Sequence, residues 1–101
     1  MRYISTRGTA PVLNFEEAML SGLARDGGLY VPQEIPQLSS AQIAAMEGKP
    51  YEVIAYEVMR PFVGETFTDG EFKQIIDRAY SGFGHAARAP LKQLDQGHFL
   101  L

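Results

Sequence analysis

Phe67-Thr68-Asp69-Gly70-Glu71-Phe72 is the stretch on which the fold turns. Every helix start leaves backbone N–H groups without partners. Here the Thr68 hydroxyl is placed to accept from the N–H of Glu71, and the Glu71 carboxylate to accept from that of Thr68. Phe67 before the cap and Phe72 inside the helix have the spacing of a hydrophobic staple. Downstream, Phe72, Ile75, Ile76, Ala79 and Tyr80 recur at helical spacing and predict a buried face. Gly82 and Gly84 end the helix, with a left-handed turn expected there.

Working toward the N-terminus, Pro50 suits the first position of a helix. Tyr51, Ile54, Ala55, Val58, Met59 and Phe62 form its apolar stripe, and Pro61 should bend or end it. Ser40 reads as the cap of a short helix through Met46, closed by Gly48. Pro32 and Pro36 mark residues 32–39 as a loop. Asn14 and Glu17 form a second capping-box pattern, heading a helix whose apolar face is Phe15, Ala18, Met19, Gly22 and Leu23. That helix should stop before the turn signal Asp26-Gly27-Gly28. Arg2 to Thr6 and Leu29 to Val31 read as short strands.

Toward the C-terminus, Ala89 to Leu101 reads as two strands about an Asp95-Gln96-Gly97 turn. The second ends in Phe99-Leu100-Leu101 without polar closure, so a truncated terminal hairpin is expected. The expected fold class is α+β, a small single domain of about four helices with short strands.

Composition narrows the function. The chain has 101 residues, a net charge of −3 and no cysteine. A compact domain of this size has a radius of gyration of about 13 Å. The nine Lys and Arg residues are scattered, unlike the basic stripe of nucleic-acid binders. Without cysteine there is no disulfide framework or thiolate zinc site, and a cytoplasmic location is expected. Residues 1–7 lack the apolar run of a signal peptide, and no stretch is long and apolar enough to span a bilayer.

Few residues suggest chemistry. Gly82-Phe83-Gly84-His85-Ala86-Ala87 matches a dinucleotide fingerprint in letters only, because it follows a helix instead of a strand. His85 and His98 have no companions at metal-ligand spacing. Glu16 and Glu17 suit the positive end of a helix dipole. Ser5-Thr6-Arg7-Gly8 combines two hydroxyls and a guanidinium at a strand end, a pattern able to hold a phosphate. The same hydroxyls can instead bond their own backbone while Arg7 is solvated or pairs with an acid. Asp26-Gly27-Gly28 can present amides to a ligand or simply make a tight turn. Neither Lys49, Lys73 nor Lys92 has a context that suggests Schiff-base chemistry.

The segments Tyr3-Ile4-Ser5-Thr6-Arg7-Gly8 and Gly22-Leu23-Ala24-Arg25-Asp26-Gly27-Gly28-Leu29-Tyr30-Val31-Pro32 closely resemble, in order and separation, the start of bacterial threonine synthases. Tyr51 to Phe62 is similar to the helix after that family's Pro-rich loop. Pro90-Leu91 and Phe99 to Leu101 resemble the lead-in to its catalytic core.

The resemblance implies that residues 1–101 are an N-terminal domain, with 88–101 leading into an absent catalytic domain. It implies a lyase that uses pyridoxal 5′-phosphate to convert O-phospho-L-homoserine and water to L-threonine and phosphate. The family's Schiff-base lysine and phosphate-binding loop would lie beyond Leu101. No catalytic or cofactor residue therefore carries over, and this part alone is expected to be inactive. Ser5, Thr6 and Arg7 are candidates for contact with the substrate phosphate or the active-site entrance. The expected partners are the catalytic domains of the same chain, with self-association possible through the open strand edge. Two readings compete: a free-standing interaction module, and a small anion-binding domain acting through Ser5, Thr6 and Arg7.

Overall fold

A computed structural model describes all residues from Met1 to Leu101. The element order is β1 (Tyr3–Ser5), α1 (Phe15–Ser21), β2 (Tyr30–Pro32), α2 (Ser40–Ala44), α3 (Tyr51–Val63), α4 (Asp69–Ser81), β3 (Lys92–Asp95) and β4 (His98–Leu100). This is the expected α+β fold: four helices with two separate two-stranded antiparallel sheets.

Each long-range connection follows from local chemistry. Thr68 and Glu71 close their capping box, and the Phe67 and Phe72 rings stack 6.0 Å apart at an interplanar angle of 3°. The aromatic contacts continue from Phe67 to Phe15 and from Phe15 to Tyr3, with centroids 6.3 and 6.1 Å apart. This file of rings joins the start of α4 to α1 and to β1. The Tyr3 hydroxyl then donates to the Phe62 carbonyl at 2.9 Å, which ties β1 to the end of α3. The buried centre is small: Val63, Phe72 and Ile76, flanked by Ala55, Tyr56 and Met59.

Tyr3 pairs with Pro32, Ile4 with Val31 and Ser5 with Tyr30. Pro32 sits at the strand end, where its missing N–H leaves the ladder intact. The second sheet is the expected C-terminal hairpin, with Lys92 opposite Leu100 and Asp95 opposite His98. Asp95 belongs to the strand, so the turn is Gln96-Gly97, with Gly97 at φ 94°.

Several boundaries differ from expectation. α1 ends at Ser21 because Gly22 turns to φ 67°, so Gly22 and Leu23 leave the helical face and Leu23 is exposed. Met19 is exposed too. Ser39, not Ser40, caps α2, sharing its box with Gln42. Pro50 stands outside α3 as its N-cap. Pro61 does not stop α3, which continues to Val63: one lost hydrogen bond in the last turn is tolerable there. Gly82 ends α4 at φ −80°, so the left-handed turn is absent, and Arg88 is the residue in that segment with positive φ. Ile75 and Ala79 face outward, because α4 buries a narrower stripe centred on Phe72 and Ile76.

The radius of gyration is 16.8 Å, larger than expected for a compact chain. Every residue of β3 and β4 is exposed. On α3 and α4, Tyr51, Ile54, Ala55, Val58, Met59 and Tyr80 line a shallow, mostly apolar groove of about 210 Å³. No helix is long and apolar enough to cross a membrane.

Candidate functional site: the Asp26 turn

β1 delivers Ser5, Thr6 and Arg7 to the turn at Asp26, Gly27 and Gly28. Pairing of β1 with β2 makes this meeting obligatory, since Ser5 lies opposite Tyr30, two residues after the turn. The hub is a residue that sequence reasoning treated only as part of a turn. The Asp26 carboxylate accepts five hydrogen bonds. Oδ1 takes Ser5 Oγ at 2.7 Å and the Gly28 N–H at 3.0 Å. Oδ2 takes the N–H and the hydroxyl of Thr9, both at 3.0 Å, and the Ala10 N–H at 2.9 Å.

These bonds set the electrostatics. Donation from Ser5 holds the Asp26 carboxyl well below the usual carboxylate range. Desolvation is the next largest effect and opposes it, while the Gly28 amide and both Thr9 donors act in the same direction as Ser5. The Asp26 carboxylate thus gathers the strand end, the 8–10 loop and its own turn.

Ser5 is buried at 4% exposure, donates to Asp26 and accepts from the Arg7 N–H at 3.1 Å. Thr6 Oγ1 accepts from the Leu29 N–H at 3.0 Å, and the Thr6 N–H donates to the Leu29 carbonyl at 2.9 Å. Arg7 Nη1 donates to the Asp26 main-chain carbonyl at 2.9 Å. The structure therefore brings the three candidate residues together, with both hydroxyls engaged inside the protein. Arg7 reaches the turn through its backbone oxygen and not through the carboxylate.

The glycines make this approach possible. Gly27 sits at φ 78°, where an added Cβ would stand 2.7 Å from Arg7 Nη1. A Cβ on Gly28 would overlap Ser5 Oγ and lie 3.0 Å from both Asp26 Oδ1 and Thr6 Oγ1. The signal that could have identified the hub was present: a short acid before two glycines, with several hydroxyls around a strand end.

The other candidates fall elsewhere. The Gly82-Phe83-Gly84 segment follows α4, as expected from its letters. His85 Nδ1 accepts from the Ala87 N–H at 3.0 Å, and His98 pairs with Asp95 across the exposed hairpin turn. All three lysines are exposed, and Lys73 Nζ lies 4.7 Å from the centre of the Tyr56 ring.

Known proteins share this fold. The family model described as "Threonine synthase N terminus" matches residues 2–80. A threonine synthase of Pseudomonas aeruginosa is 52% identical over the whole chain, which corresponds to 22% of that protein. One from Schizosaccharomyces pombe is 47% identical over 94% of the chain and 19% of the relative. The crystal structure of threonine synthase from Brucella melitensis, with PLP bound, superposes with a TM-score of 0.89 at 49% identity, covering 99% of this chain and 22% of that one. The chain thus spans about a fifth of the length of the relatives it matches. The match runs from β1 through the Asp26 turn to the last helical turns of α4, and on that ground the chain belongs to the threonine synthase N-terminal family.

Proposed function

We propose that residues 1–101 are the N-terminal domain of a cytoplasmic threonine synthase, with 88–101 leading into its catalytic domains. The whole enzyme is read as the lyase that converts O-phospho-L-homoserine and water to L-threonine and phosphate. The observation that carries this reading is joint agreement of fold and sequence with the Brucella enzyme, at TM-score 0.89 and 49% identity.

The cofactor of such an enzyme, pyridoxal 5′-phosphate, supplies an electron sink when bound. The residues of this chain do not fit it. A Schiff-base lysine needs desolvation or a neighbouring cation to keep its amine neutral. Lys49, Lys73 and Lys92 are exposed to water. The reading therefore places the Schiff-base lysine outside residues 1–101 and gives this part no chemical step of its own.

Its work is structural. The Asp26 turn holds β1, β2 and the 8–10 loop in one rigid unit beside α1. Within that unit Ser5 and Thr6 act as framework. Arg7 spends Nη1 on the Asp26 carbonyl and is the member whose charge can still meet the substrate phosphate at an active-site entrance. The exposed edges of β3 and β4 favour self-association of the separate domain. Light scattering across a concentration series reports it directly, and a monomer throughout removes that part of the reading.

The test of the main proposal pairs this chain with its full-length parent. Each is mixed with pyridoxal phosphate, scanned for Schiff-base absorbance and assayed for phosphate release from O-phosphohomoserine. Absorbance and turnover in the parent alone support the proposal. A lysine-dependent band in the 101-residue chain would overturn the assignment of the cofactor elsewhere. A parent without turnover would overturn the enzyme reading in favour of an interaction module.

A further inference from the structure

Beyond α4 the chain has little to hold it. From Ser81 to Leu101 every residue is exposed except Arg88. β3 and β4 pair with each other and with no other strand. Arg88 is also the non-glycine residue of this protein with a positive φ, 59°. That conformation is unfavourable for a side chain with a Cβ, so something must hold it there.

The holding contacts converge on one residue. Arg88 Nη2 forms an ion pair with Glu52 Oε1 in the first turn of α3, bridging 36 positions of sequence. Both side chains are 21% exposed, which protects the pair from the screening that weakens surface pairs. Arg88 Nη1 points to the Phe83 carbonyl at 3.5 Å, and the Arg88 N–H donates to the His85 carbonyl at 2.9 Å. Backbone and guanidinium of Arg88 together thus tie the 83–88 loop to itself and to the helical body, with the buried Nε left without a partner.

We infer that the Arg88–Glu52 pair is a clasp that fixes the direction in which the 89–101 hairpin leaves the helical layer. The inference rests on geometry alone and stands whether or not the enzyme reading does. It makes Arg88 and Glu52 positioning residues for whatever follows or meets the hairpin.

The absence of cysteine makes the test clean. Gln74→Cys on α4 and Gln96→Cys at the hairpin turn are spin-labelled, and their distance distribution is read by pulsed electron resonance. With the pair intact a single narrow distribution is expected. Glu52→Gln and, separately, Arg88→Gln should broaden it, with helical circular dichroism unchanged. The charge-swapped double variant, Glu52→Arg with Arg88→Glu, should recover part of the narrow component. A broad distribution with the pair intact overturns the inference without any charge substitution, so a variant that fails to fold does not decide the matter. A distribution equally narrow in both single variants overturns it as well.

Discussion

Ser5 Oγ donates to Asp26 Oδ1 across 2.7 Å, although 21 positions separate the two residues. That bond makes a strand end and a turn one object. It also engages the buried hydroxyl of the segment that resembles a phosphate-binding motif.

Asp26→Asn should destabilise the domain more than a typical surface substitution. An amide cannot present acceptors to five donors, and its own NH₂ would face N–H groups of Thr9 and Ala10 or of Gly28. A fall in Tm of several degrees is expected in thermal denaturation. A Tm unchanged from the parent would remove Asp26 as the hub.

The same carboxylate should make stability depend on pH. Its pKa is lower in the folded state than in the unfolded chain. The stabilisation it contributes is therefore fully present above the ordinary Asp pKa and declines as the pH falls below about 4 toward the folded value. Glu52, Asp69 and Glu71 are shifted in the same direction and share in the acid loss. Urea titrations at several pH values, with Asp26→Asn subtracted from the parent, isolate the Asp26 part. A pH-independent difference between the two would contradict the reading.

Two glycine substitutions should act in opposite directions. Gly28→Ala drives a Cβ into Ser5 Oγ at a buried site and should cost about 1–3 kcal/mol through overpacking. Gly70→Ala, in the first turn of α4 with open space around its Cα, should stabilise by about 0.5 kcal/mol. Chemical denaturation of both variants measures the contrast, and equal effects would refute it.

The buried face of α4 can be read by truncation. Ile76 is 2% exposed, and Ile76→Ala should cost about 2–5 kcal/mol. Its neighbour Ile75 is 44% exposed, and Ile75→Ala should cost well under that. Thr68→Ala removes the cap of the same helix and should cost about 1 kcal/mol. Unfolding free energies for the three variants give the order directly.

Arg7→Ala addresses the remaining functional candidate. If the Arg7 charge meets phosphate, chemical shifts at Ser5, Thr6 and Arg7 should move with millimolar phosphate in the parent and stay still in the variant. Shifts that never move in the parent would leave Arg7 with the Asp26 carbonyl as its whole role.

Helix existence was legible in the sequence where one element carries its own signal. The Asn14–Glu17 and Thr68–Glu71 boxes involve residues three apart, so their geometry is set before any tertiary contact forms. The hairpin at 92–100 is legible for the same reason. Helix ends were harder. Pro61 is a strong stop signal in isolation, yet α3 continues because Val63 is buried against Phe72 and Ile76. Gly82 is a strong left-handed signal, yet the positive φ of the segment falls at Arg88, a residue that also pairs with Glu52 across 36 positions.

The local pattern by itself determined the starts of α1 and α4, the turn at Asp26 and the family resemblance, because each depends on residues close together in the chain. The tertiary structure decided which residues of each apolar stripe are covered, which acid becomes the hub, and which groups within the chain the Ser5 and Thr6 hydroxyls bond. Those outcomes depend on partners brought from 20 or more positions away, as Ser5 is to Asp26 and Thr6 to Leu29, and strand pairing brings those partners together.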